Sequence, residues 1–471
     1  MIVWSFAFFS DPFKNKTATA LLSVTPIQNI RGTVDILPSQ SFAWEWIETK
    51  VRNLFRRFHL SEIRTPVFEA TELFQRSIGE SSDIVNKEMY TFTDKKGRSI
   101  TLRPEGTASV VRSCLQNKLN SPNTVQKFFY IGPMFRYERP QTGRQRQFHQ
   151  IGVELMGSDS PALDLEAILL LQFFFKEVGI GAVRFRINTT GSRANRPHLN
   201  QELRKVVEPH LAKLCPNCHG RFEKNILRVY DCKVPECQEI ISTFPGISHF
   251  LTEEDKNYFQ KVLQGLDLCN VQYEWDDHLV RGLDYYTHTI FEAYSYKAAG
   301  AYKAAGAYKA AGANNIEEAG ACDALAGGGR YDGLFEDMGA DMPVPAVGFA
   351  VGMERIFNLL QTMNSLPTTP QLDIFVVAHD EVQTLQNLKM VQQLRAAGFS
   401  VDYDLLGRKM KHQFRLATQS NAKWVLIRGE NEAARGAVKI KILSTHEEKE
   451  IPENELLDKL KELLAPVKNI S

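Results

Sequence analysis

The chain has 471 residues, 56 Lys and Arg against 55 Asp and Glu, 43% hydrophobic and 24% charged residues, and seven Cys. This is globular composition with a length of about three domains, and it excludes disordered, collagen-like and disulfide-scaffold proteins. A net charge of +1 leaves any nucleic-acid role to local basic patches.

No apolar run approaches the roughly 20 residues that span a bilayer, so no membrane partner is expected. Sparse, odd-numbered Cys points to a reducing, cytoplasmic setting. Residues 1–25 open on an apolar stretch without a preceding basic segment, and no Arg occurs before Arg31. They do not fit a signal peptide, support a transit peptide only weakly, and read as a disordered extension or the product of an upstream start codon, with folded sequence from near Pro26.

Residues 41–58 carry Phe42, Trp46, Ile47, Val51, Leu54, Phe55 and Phe58 at helical spacing, and 62–68 is strand-like. Residues 127–131 and 152–156 read as strands around an Arg-rich segment from Arg136 to Gln150, a long hairpin with a basic loop. A helix is expected over 162–177. Residues 190–270 hold five of the seven Cys and read as an inserted subdomain, before a strand at 279–293. Tyr-Lys-Ala-Ala-Gly-Ala then occurs three times over 296–313. A period of six fits no regular element, and its recurrent Gly undercuts a helix, so an inert loop insertion is expected. Residues 348–355 run from strand into helix. After a linker at 364–371, strands at 373–378, 400–403 and 424–427 alternate with helices at 381–397 and 408–420. That pattern predicts a small α/β domain with a largely parallel sheet.

Arg136, Arg139, Arg144 and Arg146 fall within 11 residues beside Glu138. Their guanidinium forks suit phosphate oxygens, although a solvated basic loop has the same composition. Arg281 precedes Tyr285 and Tyr286, and on a regular strand only one of those tyrosines enters a given pocket. Glycines at 327–329 let backbone approach a ligand closely, though such runs are more often turns. No P-loop or GxGxxG motif occurs, so neither nucleotide site is available. Cys215-x2-Cys218-x13-Cys232-x4-Cys237, with His219 adjacent, has zinc-ribbon-like spacing. Four reduced thiols packing a small insertion is the alternative. Arg408, Lys409, Lys411, His412, Arg415, Lys423 and Arg428 lie in a stretch free of acids between Asp404 and Glu430. It suits RNA phosphates, or is a solvated helix face.

Phe-Arg-Tyr-Glu at 135–138, Arg-Gly-Leu-Asp-Tyr-Tyr-Thr at 281–287, Gly-Gly-Gly-Arg-Tyr-Asp at 327–332 and Gly-Met-Glu-Arg at 352–355 together resemble the histidyl-tRNA synthetase family. The first and last mark class II synthetases at large, and the middle two are specific to the histidine family. The resemblance covers about 27–464. It implies an α+β fold, a class II antiparallel sheet flanked by helices, in a catalytic domain over 26–363 with an inserted helical subdomain. A C-terminal α/β anticodon-binding domain would occupy 372–471, and a homodimer would form around the helix and strand ending near Pro66.

The resemblance implies adenylation of L-histidine by ATP and transfer to histidine tRNA, with Mg²⁺ bridging the β- and γ-phosphates. Arg136 and Arg281 would hold the α-phosphate as the catalytic pair, Arg355 the γ-phosphate, and Glu138 the adenine. Glu105, with Gly106 and Thr107, and Gln150 would bind the α-amino group. Glu154 and Tyr286 would read the imidazole, with Tyr285 lining the pocket. Arg139, Arg144, Arg408, Lys411 and Arg415 would meet tRNA. This chemistry requires no zinc. A regulatory synthetase-like subunit of histidine biosynthesis would lack the C-terminal domain and the 281–287 signature, and both are present. An RNA-binding or stress-sensing module keeping only the fold would not need complete ligand sets for ATP and histidine.

Overall fold

The computed structural model describes residues 27–79, 82–120, 124–140, 144–181, 183–295 and 324–464; the N-terminal extension and the 296–313 repeat lie outside them. The chain divides into two compact units between Leu366 and Pro367, and each is taken by itself.

In the first unit, α1 (Pro38–Arg57) starts on a proline and buries Ala43, Trp44, Ile47, Val51, Leu54 and Phe55 along one stripe. The strand expected at 62–68 is instead two short strands, β1 (Ser61–Glu62) and β2 (Phe68–Ala70), in different sheets. Pro66 lies between them and has no N–H for a ladder. Next come α2 (Thr71–Ile78), β3 (Thr91–Thr93), β4 (Ser99–Leu102) and α3 (Thr107–Gln116). The predicted hairpin is β5 (Gln126–Phe135) and β6 (Gln147–Met156), paired from Gln126↔Met156 to Phe135↔Gln147. Ser160 caps α4 (Pro161–Glu177), its hydroxyl accepting from the Ala162 N–H.

After β7 (Val183–Thr189) come the inserted helices α5 (Arg196–Val207), α6 (Pro216–Lys224) and α7 (Pro235–Ile241), then α8 (Glu253–Leu268). The unit ends with β8 (Tyr273–Trp275), β9 (Thr287–Ser295), β10 (Ala326–Arg330), α9 (Leu334–Asp337), β11 (Ala346–Gly352) and α10 (Met353–Thr362). Helices α5 to α7 close a separate core around Leu199, Leu203, Ile226, Cys218, Cys232 and Cys237, whereas α8 packs into the main core.

The main sheet runs β1-β5-β6-β11-β10-β9-β7-β8, parallel only at its two edge pairings. Strand alternation gives it two unlike faces. Phe129, Ile151, Val153, Leu155, Phe291, Val347, Phe349 and Val351 join α1, α4, α8 and α10 in the core. Each such side chain contributes about 1.5–3 kcal/mol on burial. Gly152, Gly327, Gly329 and Gly348, with Gln150, Glu154 and Glu292, alternate with those core positions and lie on the other face. One face therefore holds the fold, and the other is left open for chemistry.

The second unit contains β12 (Ile374–Val377), α11 (Glu381–Ala396), β13 (Val401–Tyr403), α12 (Met410–Gln419), β14 (Trp424–Ile427), α13 (Glu430–Ala434), β15 (Ala437–Ile442), β16 (Glu448–Pro452) and α14 (Leu456–Leu464). Its sheet order is β13-β12-β14-β15-β16. The first three strands are parallel and the last two antiparallel, so the sheet is mixed rather than largely parallel. Strands β15 and β16 form a polar-faced hairpin, with Lys441 Nζ 2.8 Å from Glu448, a pairing that needs no crossover helix. Among the described residues, no helix is long and apolar enough to cross a membrane.

Candidate active site

Strand β6 places Gln150 and Glu154 on the open face, with Gly152 between them. A Cβ on Gly152 would lie 2.0 Å from the Tyr130 ring, so glycine is what lets that ring lie across the strand. A Cβ on Gly348, opposite Glu154, would meet the carboxylate at 2.1 Å. Glu154 is 1% exposed. It accepts from Thr107 Oγ1 at 2.8 Å and from the hydroxyl of Tyr331. Burial pushes Glu154 up to about 8, against the pull of the Tyr331, Thr107 and Tyr130 hydroxyls. Burial beside this carboxyl holds Tyr331 well above the usual phenol value, so Tyr331 remains a donor.

Glu105 is a second buried acid, and its carboxylate accepts the N–H groups of Thr107 at 2.6 Å and Ala108 at 2.8 Å. It thus caps the start of α3 and fixes Thr107 against Glu154. Burial raises its pKa as well, with those N–H groups pulling the other way. The amide oxygen of Gln150 is buried and has no hydrogen-bond partner among the described residues. Such a group carries a desolvation penalty that a bound donor relieves.

The strand expected from 279 begins only at Thr287, and Asp284 and Tyr285 form a turn just ahead of it, so these residues do not continue the strand. Tyr285 and Tyr286 can therefore both turn inward. Both are buried, their ring centroids 4.8 Å apart, and Tyr285 lies 5.7 Å from Tyr331. The alternation expected of these tyrosines does not hold, because no strand is present there.

Arg281 ion-pairs with Glu292 of β9. Its guanidinium passes over β10, where a Cβ on Gly327 would lie 2.4 Å from Nη2. The glycine run is thus a buried strand, and Gly327 is needed by the close approach of an arginine. Arg136 donates from Nε to the Pro104 carbonyl at 2.9 Å, sits 5.3 Å over the Phe148 ring, and lies 3.9 Å from Glu138. Arg355 is the third residue of α10 and donates to the carbonyl of Ala324. Glu354 beside it accepts the His149 N–H at 2.9 Å, tying α10 to β6.

Glu138 also faces Arg144 at 3.4 Å, and with Arg139, Arg31, Tyr137 and Arg146 it lines a cavity of about 350 Å³. Tyr130, Tyr331 and Glu292 were not singled out from the sequence. Only Tyr331 carried a signal, its place in the glycine-rich motif. In the second unit, Arg408, Lys423 and Arg428 meet Asp404, Asp373 and Glu453 at 3.2, 2.8 and 3.1 Å. The stretch between Asp404 and Glu430 holds no acid of its own, but acids outside it or at its edge take up these three. Arg408 is exposed all the same, as are Lys409, Lys411, His412 and Arg415 on or just ahead of α12.

A histidyl-tRNA synthetase family model matches residues 32–193, and an anticodon-binding-domain model matches 373–463. The histidine–tRNA ligase of Oceanobacillus iheyensis is 43% identical over 436 residues, covering 92% of this chain and 97% of that protein. That of Bacillus subtilis is 42% identical over 434 residues, covering 92% and 97%. The crystal structure of apo S. aureus histidyl-tRNA synthetase is similar at a TM-score of 0.76 and 35% identity, covering 93% of this chain and 100% of that one.

Proposed function

The chain belongs to the histidyl-tRNA synthetase family, and from that premise we infer that it is a histidine–tRNA ligase whose residues divide the reaction as follows. Histidine and ATP, entering as its magnesium complex, form histidyl-adenylate and pyrophosphate. Histidine then passes to the terminal adenosine of its tRNA. The carboxylate of histidine attacks the α-phosphorus, and the bond to the bridging oxygen of pyrophosphate breaks. This chemistry depends on positioning and on stabilising negative charge.

The observation that carries the assignment is the buried polar pocket on the open sheet face. Glu105, Thr107, Glu154 and Tyr331 form one hydrogen-bonded chain there, with Tyr285 packed on Tyr331. An amino acid with a cationic α-amino group and a polar ring satisfies such a site, and an apolar one leaves it unpaired. Glu105, Gly106, Thr107 and Gln150 take the α-amino end, while Glu154 and Tyr286 take the imidazole. Arg136 and Arg281 bracket the α-phosphate, Arg355 holds the γ-phosphate, and Glu138 meets the adenine. Arg139 and Arg144 of the hairpin, and Arg408, Lys411 and Arg415 of the second unit, contact tRNA. No step draws on the cysteine cluster. The enzyme is cytoplasmic and works as a homodimer, and Val67, Phe68 and Phe92, exposed at 39%, 51% and 48%, offer apolar surface for a second copy.

The test is ATP–pyrophosphate exchange with each amino acid in turn. Exchange with histidine alone is expected, and exchange with another amino acid, or none, rejects the assignment. A second measurement checks the sheet geometry. Gly327→Ala displaces Arg281 or strand β10, so kcat/KM for exchange should fall by about 100-fold while the chain stays folded. Unchanged exchange in this variant would remove Arg281 from the phosphate site.

A further inference from the structure

Cys215, Cys218, Cys232 and Cys237 converge in the inserted subdomain, with their four sulfur atoms all within 4.8 Å of one another. Cys215 precedes α6, Cys218 lies in its first turn, Cys237 sits in α7, and Cys232 lies between those helices. Tetrahedral zinc with Zn–S bonds of about 2.3 Å spaces its sulfurs at roughly 3.8 Å. The Cys215 and Cys232 sulfurs stand 3.8 Å apart. A disulfide brings two sulfurs together, whereas here four free thiols close around one point. The Cys215 N–H donates to the Cys237 sulfur at 3.2 Å, a contact that favours a metal-bound thiolate. Among the described residues, no other group of three or more potential ligands is brought together in this way.

The surrounding elements explain what a metal would do. Helices α6 and α7 have only 9 and 7 residues, and their core is small. Units of this size are commonly stapled by a metal or disulfides. The same stretch holds the loop that carries Arg281, Tyr285 and Tyr286. Arg228, between Cys218 and Cys232, donates to the Gly282 carbonyl at 2.9 Å and reaches Asp83 at 3.4 Å. Asn225 donates to Asp284 at 2.6 Å, and Val280 is buried in the subdomain core.

We propose that the four cysteines bind a structural zinc ion, and that this zinc holds Asn225 and Arg228 against the 280–284 loop of the active site. The zinc site stands by itself, whereas its effect on the loop rests on the proposed histidine–tRNA ligase reading.

Metal analysis of the full chain, purified with reductant and without chelator, is expected to find about one equivalent of zinc per chain. Growth with cobalt should give the intense visible absorption of a tetrahedral cobalt–thiolate site. Cys218→Ser and Cys232→Ser should lose the metal, and Cys269→Ser, whose thiol is exposed outside the cluster, should keep it. If the serine variants do not fold, the wild-type zinc content and cobalt spectrum still decide. Less than about a tenth of an equivalent after zinc-supplemented growth overturns the site. For the loop, Arg228→Gln should retain zinc yet raise KM for histidine about 10-fold, with a smaller change in kcat. An unchanged KM in both Arg228→Gln and Cys232→Ser overturns the coupling. A chain that binds zinc but catalyses no exchange would reject the ligase assignment and leave the metal site standing.

Discussion

Arg281→Ala is expected to lower kcat/KM for histidine-dependent ATP–pyrophosphate exchange by about 1,000-fold or more, the scale of losing a preorganised charge donor in a water-poor site. The arginine is held before any substrate arrives. Glu292 pairs with it, and Gly327 leaves the guanidinium room over strand β10. Placement therefore costs nothing at the moment of reaction, and a shorter side chain forfeits it. The structure adds a cost that the sequence did not show. Glu292 is only 16% exposed, and removing its partner leaves a mostly buried carboxylate beside Tyr294. Alanine should thus also cost about 1–3 kcal/mol of stability. Arg281→Lys separates the two effects, since it retains a cation opposite Glu292 but lacks the planar fork. Exchange should fall in both variants, and stability mainly in the alanine one. Near-normal exchange in Arg281→Ala would show that this residue does not touch the α-phosphate.

Legibility in the sequence followed the range of the forces involved. The hairpin of β5 and β6 was readable because its strands alternate locally and its basic loop stands out. Helix α1 declared itself by apolar spacing, and α4 was expected over 162–177, one residue short of its observed start. The glycine strand β10 was not readable as a strand. Its residues are chosen by tertiary approaches, Arg281 over Gly327 and Tyr286 over Gly329, which no local propensity records. Tyr285 and Tyr286 were assigned to a strand on the strength of neighbours that do form one, but a turn at Asp284 and Tyr285 precedes that strand, which starts only at Thr287. The mixed second sheet was missed because the strands read from the sequence stop at Ile427, and the antiparallel β15 and β16 come after them. The likeness to a family supplied candidate residues, whereas the positioning roles of Tyr130, Tyr331 and Glu292 came from packing, with Tyr331 alone foreshadowed by its place in the glycine-rich motif.

Glu154→Gln should lower kcat/KM for histidine by about 100- to 1,000-fold, because a carboxylate able to accept from the imidazole becomes an amide whose N–H₂ faces Tyr331 and Thr107. Its pH behaviour distinguishes this role from a structural one. Burial raises Glu154 from 4.5 to about 8. Between those values the folded chain holds a proton that the unfolded chain has released. The protonated group's contribution to stability is therefore full below pH 4.5 and is lost as pH rises through about 8. The slope from this one site approaches about 1.4 kcal/mol per pH unit. Glutamine does not titrate, so the variant's Tm should fall less than the wild type's between pH 5 and 8 (roughly the interval between the two pKa values). Catalysis runs the opposite way. Accepting from the ring N–H needs the ionised acid, so wild-type kcat/KM should rise with pH toward an apparent pKa near 8, and that rise should be absent in Glu154→Gln. The same rise in both proteins would assign it to the histidine substrate and take Glu154 out of ring recognition.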